Sequence, residues 1–441
     1  MTAPALERDQ ITLHNLDITD TDLYVQRGYP WKEWDLLRRE APVFWYERPG
    51  FEPFWAITKY ADIQWISKNP EIFSNRQRLR LAHPMPGDWE NWKRHEAEGR
   101  YRPGPDEAPD LVFMDPPQHR RYRSIVSSRF TPRAMTKLED HLAELTAKYV
   151  GNFADLLVER LKEGRECDFV HDCAAKLPVA AICEMADIPR EDWDKVFQWT
   201  EVLVGSQDPE YQLPGEDART AARRNINDWF DYMERLIEQR QENGLRGKDL
   251  LTMLLRAEID GEKLTQREVM SYIILLLAAG NETTRNSTTG GVHALLEHPD
   301  QLARLVANPE LVDSAVEEIL RWTSVVIQFT RTVTQDTEIR GQKIRAGQTI
   351  AMWYPSANRD EDVFADAYTF DIERDPNDHF AFGGYGEHFC LGANLARWEM
   401  RSLLKALIPV LPRLEMTAPP ERLAGQLHVG GIKRLMVKAR E

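Results

Sequence analysis

The stretch HFAFGGYGEHFCLGANLARWEM, residues 379–400, places Cys390 after Gly383, Gly384 and Gly386 and ahead of Gly392, and the apolar spacing that follows predicts a helix through about Leu407. A cysteine in a glycine-rich loop just before a helix receives backbone N–H bonds and the positive end of the helix dipole, and both favour the thiolate. Such a sulfur serves as a nucleophile or as a metal ligand. A nucleophile needs a base, and His388 stands close by in the chain, so a cysteine hydrolase is one reading. A zinc site needs further ligands at suitable spacing, and none is near. Ligation by a single thiolate points to haem iron, whose equatorial ligands come from the porphyrin.

Working back along the chain, the segment from Leu264 to Pro299 predicts a second decisive element. Thr265 and Glu268 form a capping-box pattern and Pro299 ends the helix, which leaves roughly 32 residues or about 48 Å. Its first half, VMSYIILLLAAG, is apolar nearly all round and therefore buried on every side. The centre, Ala279-Gly280-Asn281-Glu282-Thr283-Thr284, then brings small residues, an acid and two hydroxyls into that buried setting, where Gly costs about 1 kcal/mol relative to Ala. Either Gly280 admits a crossing helix, Glu282 turns to solvent and the threonines bond back to earlier carbonyls, or the small residues leave room for a ligand and Glu282 supplies protons.

Composition bounds the rest. The chain has 441 residues, 42% of them apolar, enough for a large core in one continuous domain spanning residues 1–441, with a short polar extension over about 1–16. The net charge of −15 argues against a nucleic-acid partner. The longest strictly apolar run, Ile273 to Ala279, is too short to span a membrane, and MTAPALERDQITLHNLDITD has neither a secretory core nor an anchor, so a cytoplasmic location is expected. Cys167, Cys173 and Cys183 lie in apolar surroundings without a paired motif and are expected to be structural. Val43 to Tyr46 and Phe54 to Thr58 are strand-like, the stretch from Arg76 to Pro109 looks like a long surface loop or lid, and Pro117 to about Leu320 is mostly helical. Lys343 to Trp353, with turn glycines Gly341 and Gly347, predicts further short strands. The fold class expected is mainly α with small β-sheets.

Taken together, these segments resemble the soluble bacterial cytochromes P-450, from about Asp17 to the end of the chain. The cysteine loop is similar to the family's haem signature, Ala279 to Thr284 to its oxygen-activating helix, Glu318 and Arg321 in EEILRW to its Glu-x-x-Arg pair, and SANRDEDVFADAYTFDIERDPN to its meander. One departure is visible: Gly383 stands where the family usually has Phe, with Phe382 one step earlier. This shifted form, with the run Gly-Asn-Glu-Thr-Thr-Arg-Asn, resembles a branch that oxidises steroids and other lipids.

The resemblance implies a fold that holds haem b between the long helix and the cysteine loop, with Cys390 as the proximal ligand and Phe382 beside the haem. It implies His119 and Arg123 at one propionate, and Arg331 and His388 at the other. Glu282 relays protons from solvent and Thr283 steadies the reduced oxygen. Glu318 and Arg321 are assigned to structure, on a helix beginning at Pro309. Leu275, Ala278, Ala279, Val326 and Ile327 are expected to wall an apolar pocket for a steroid, terpenoid or branched lipid. O2 is the co-substrate, and a ferredoxin with its reductase supplies electrons to a monomeric enzyme. HRRYRSIVSSRFTPR, residues 119–133, holds five arginines and no acid, so Arg120, Arg121, Arg129 and Arg133 can present a basic face to an acidic donor. A peroxide-driven fatty-acid peroxygenase or a non-catalytic haem gas sensor is the alternative, and the acid–alcohol pair argues against both.

Overall fold

The computed structural model describes residues 11–48, 52–76, 81 and 111–440. Its first helices are α1 (Thr21–Arg27), whose leading amides of Asp22 and Leu23 donate to the Asp20 side chain, and α2 (Trp31–Glu40). The aromatic runs then form β1 (Val43–Tyr46) and β2 (Phe54–Ile57), paired antiparallel with Trp45 opposite Trp55. After α3 (Tyr60–Lys68) comes the short β3 (Phe73–Ser74). The sheet is completed from far along the chain by β4 (Gln328–Val333) and β5 (Thr349–Trp353), in the order β1-β2-β5-β4-β3. Only the β2–β5 contact is parallel, with Trp55 opposite Ile350. Gly341 and Gly347 take the positive φ values, +80° and +86°, that the turns before and after Gln342–Ile344 require.

Helices fill the middle of the chain, as its apolar spacing predicts: α4 (Gln118–Ser127), α5 (Pro132–Glu163), α6 (Lys176–Met185), α7 (Trp193–Gly205), α8 (Ala218–Glu242) and α9 (Leu250–Arg256). The expected long helix is α10 (Gln266–Glu297), 32 residues opened by the Thr265–Glu268 capping box, with both reciprocal bonds formed. It threads the core. A methyl on Gly291 would stand 2.5 Å from Ile319 Cγ2 and one on Gly280 3.1 Å from Ile182 Cγ1, so glycine sets how closely α10 is crossed at both places.

α11 (Pro299–Ala307) and α12 (Val312–Thr323) follow. The helix carrying Glu318 and Arg321 therefore starts later than Pro309: Pro309–Leu311 is a separate 3₁₀ turn, capped by the Asn308 side chain accepting from the Glu310 amide. Beyond the cysteine loop lie α13 (Ala393–Leu407) and a hairpin of β6 (Glu421–Arg422) and β7 (Ile432–Arg434). The architecture is mainly α with small sheets. Among the described residues no helix is long and apolar enough to cross a membrane. Apart from Arg76 and Leu81, the 76–109 segment expected to form a lid lies outside the described residues, as does most of the N-terminal extension.

Candidate active site

Between the middle of α10 and the cysteine loop lies a cavity of about 1650 Å³, counted with its open mouth. Two backbone bonds shape the loop: the Cys390 N–H donates to the Phe382 carbonyl and the Gly383 N–H to that of Phe380, both at 2.9 Å. Gly383 sits at φ +91°, a conformation that side chains strain to adopt, which accounts physically for glycine where Phe is usual. The loop is also pressed onto α3, because a side chain at Gly384 or Gly386 would collide with Ser67. Cys390 lines the cavity at the start of α13. Burial pushes its thiol up, while the amides of Gly392 and Ala393 and the charges of Arg123 and Arg397 pull the other way. A cationic metal at the sulfur would deprotonate it outright.

One side of the cavity gathers base without acid. His119 and Arg123 on α4, Arg331 on β4 and His388 of the loop all line it, and among the described residues no carboxylate does. The two imidazole rings stand 4.1 Å apart. His119 is lowered to about 4, by burial first and then by Arg123, and His388 to about 2, by burial, Arg331 and His119. Both are therefore neutral at pH 7. Arg331 is buried and donates to the Thr330 carbonyl at 2.7 Å, and neither Arg331 nor Arg123 has a carboxylate at ion-pair distance among the described residues. His119 Nδ1 and His388 Nε2 are buried without a partner among the described residues. An unpaired buried cation, a half-buried one and orphaned ring nitrogens call for an anion. A flat metal-bearing cofactor with two carboxylates fits this set of donors.

The opposite wall is apolar. Leu275 and Ala279 from α10, together with Val326 ahead of β4, line it. Ala278 does not: it is 8% exposed and packed in the core, because one residue turns a helix by about 100° and only Ala279 faces the space. Ile327 is also fully buried away from it, and Val325 and Phe329 take its place. Phe329 shares the strand face of Arg331, and the period-two alternation counted back from Arg331 would have found it. Phe382 lines the cavity with Arg397 4.4 Å from its ring centre.

Thr283 lines the cavity, and its hydroxyl donates to the Ala279 carbonyl at 2.8 Å, one turn back. Glu282, its neighbour, faces elsewhere. It is 1% exposed and held by Arg285 at 2.5 Å, and Arg285 also donates to Glu201 of α7 at 3.0 Å. Burial pushes the Glu282 carboxyl up, opposed by Arg285 and Thr200.

Behind the loop, Glu318 and Arg321 are both fully buried and joined by two bonds of 2.7 Å. Arg321 also donates to the carbonyls of Asn358, Ala367 and Thr369, while Glu318 accepts from the Asp371 amide and Asn377 Nδ2. Neighbouring Glu317 holds His379 and Arg397, one at each end of the cysteine stretch. On the surface, Arg120 pairs with Glu387 of the loop and Arg121 with Asp260, whereas Arg133 is exposed. The other three cysteines are buried and free. Among the described residues no cluster of three or more His, Cys, Asp or Glu stands at metal-binding spacing.

Comparison with known proteins agrees with this geometry. Residues 194–422 match the Cytochrome P450 family. The methyl-branched lipid omega-hydroxylase of Mycobacterium bovis is 39% identical over 98% of this chain and 96% of its own. The steroid C26-monooxygenase of Rhodococcus jostii is 36% identical over 96% of this chain and 84% of its own. Among solved structures, a Mycobacterium marinum cytochrome P450 in complex with pseudoionone superposes with a TM-score of 0.82 at 31% identity, covering 96% of this chain and 98% of that one. Likeness of that degree, sustained from end to end and converging on a lone thiol beneath a buried helix, makes this chain a member of the cytochrome P450 family of haem-thiolate monooxygenases.

Proposed function

We propose that the enzyme hydroxylates a bulky hydrophobic lipid, a steroid, terpenoid or methyl-branched chain, with electrons from an acidic ferredoxin. The observation that carries the reading is one cavity that opposes an apolar wall and a lone thiol to four basic groups, with no acid among the described lining residues. Cys390 would bind the haem iron through its thiolate, His119 and Arg123 would hold one propionate, and Arg331 and His388 the other. Haem, when bound, supplies oxygen activation at its iron. Thr283 Oγ1 keeps a proton at the cavity face, and Glu282 delivers protons behind it by turning from Arg285. Leu275, Ala279, Val326 and Phe329 hold the substrate by shape and keep water out. The relatives named for methyl-branched lipids and for steroids support this substrate class. Exposed Arg133, with Arg129 beside it, offers the donor a basic docking edge, and a ferredoxin reductase stands upstream. We take the enzyme to act as a monomer in the cytoplasm.

The test is an absorbance titration of the ferric enzyme with methyl-branched lipids, steroids and straight-chain fatty acids. Branched lipids or steroids should shift the spin state at lower concentration than straight chains. A response to none of the first two classes overturns the substrate reading. A thiolate-type CO spectrum that survives Cys390→Ala overturns the ligand assignment.

A further inference from the structure

We propose that α10 carries a second ligand site, further along the helix towards its C-terminal end, and that this site takes a small aromatic carboxylate. A separate cavity of about 1150 Å³, counted with its open mouth, lies between α1 and α2, the last turns of α10, the end of α12 and the β6–β7 hairpin. Val325 is the one residue it shares with the haem cavity, so the two spaces are neighbours across a single side chain.

Its walls are aromatic. Tyr29 and Trp31 meet edge to face with centres 5.3 Å apart, Trp31 meets Tyr368 in the same way at 5.8 Å, and Trp322 completes the set. Rings arranged in this way offer flat apolar surface to a ring-bearing guest. The cavity nevertheless holds polar groups with nothing to bind. Asn286 of α10 is 1% exposed, and neither its amide oxygen nor its nitrogen has a partner among the described residues. A buried amide unsatisfied at both ends is rare unless a further molecule completes it.

Charge gives the sign of that molecule. Arg422 lies against Gly28, its Nε 3.6 Å from where a Cβ would stand, and has no carboxylate at ion-pair distance among the described residues. Arg359 is 2% exposed and sits 4.9 Å over Trp31 and 4.4 Å over Trp322. Among the described residues its Nη atoms donate to the carbonyls of Arg321, Asn358 and Trp322, and its Nε has no partner. Arg27 is already engaged by Glu33 at 2.5 Å. Glu297, the one acid among the described lining residues, is 3.4 Å from His293. The site is thus net positive, with donors free and aromatic faces beside them. Arg422 and the Asn286 amide receive the carboxylate, and the rings of Tyr29 and Trp31 receive the body of the ligand. A cation or a neutral hydrocarbon would leave these donors unsatisfied.

Equilibrium dialysis of 2-naphthoate against the haem-loaded enzyme tests this, with phenylimidazole filling the haem cavity. One saturable site is expected. Removing a charge-assisted contact should weaken binding about tenfold, both for Arg422→Gln and for 2-naphthalenemethanol in place of the acid. The second comparison needs no variant, so it stands even if the substitution disturbs the hairpin. Absence of saturable binding overturns the proposal, as does displacement of naphthoate by phenylimidazole. Equal affinity of acid and alcohol, or of wild type and Arg422→Gln, overturns it as well.

Discussion

Arg321→Met should damage this enzyme out of proportion to its distance from the substrate cavity. The guanidinium is wholly buried, bonded twice to Glu318 and once each to three meander carbonyls. Methionine fills similar space but leaves the Glu318 carboxylate buried, with Arg374 at 3.3 Å as its remaining cation; it strips the Ala367 carbonyl of its donor, while those of Asn358 and Thr369 keep one each from Arg359 and Arg374. Breaking a buried pair in this way costs about 3–5 kcal/mol. At an unfolding entropy of about 2.1 cal/mol/K per residue over 441 residues, the fall in Tm is about 3 to 5 °C. Circular dichroism on the haem-loaded protein measures it, and haem absorbance per mole of chain should drop in parallel because the meander positions the cysteine loop. A double variant, Glu318→Leu with Arg321→Met, separates causes: removing the stranded charge should restore about 1 °C or more, although the Ala367 carbonyl still lacks its donor. A Tm for Arg321→Met within about 1 °C of wild type would refute the reasoning. So would a double variant less stable than the single one.

Other outcomes follow from the same geometry. Thr283→Ala should keep its haem spectrum yet lose about tenfold in product per electron, the missing electrons appearing as hydrogen peroxide, and unchanged coupling would remove the hydroxyl from the mechanism. Burial pushes Glu317 up, but His379 and Arg397 outweigh it and hold the carboxyl at about 2 against an ordinary 4.5. The unfolded chain therefore protonates Glu317 first as pH falls: its contribution is complete above about 4.5 and drains away towards 2. In Glu317→Gln the acid limb of stability over that window should flatten, and an unaltered limb in acid titrations followed by circular dichroism would contradict the assignment. Reduction by an acidic ferredoxin should slow several-fold between low salt and physiological ionic strength and slow further in Arg133→Glu, as stopped-flow absorbance would show, while a rate indifferent to salt counts against docking on this edge.

What could be read from the chain beforehand divides along the range of the forces involved. The Thr265–Glu268 cap, the length of α10 and the strands of the first sheet depend on residues a few positions apart, and local spacing carries that information. The cysteine loop was legible for the same reason. Directions of side chains were harder. Ala278 and Ala279 are equivalent as text, and only the phase of α10 against α6 decides which one faces the cavity. Glu282 turns inward because Arg285 pairs it with Glu201, 81 residues upstream on another helix. Arg120 and Arg121 look free in an acid-free run, yet Glu387 and Asp260 reach them from distant loops. Gly383 reads as a displaced signature until its φ is known.

The placement of the four thiols also turns the protein into its own counter. Cys167, Cys173 and Cys183 are at most 1% exposed, and burial pushes their thiols up to about 11 for the first and further for the others. Cys390 alone opens onto a cavity. In haem-free protein under native conditions an alkylating reagent should therefore consume one equivalent per chain, and none once iron holds the sulfur. Labelling stoichiometry on a mixed preparation then reports the fraction of molecules lacking cofactor, independently of any absorbance coefficient.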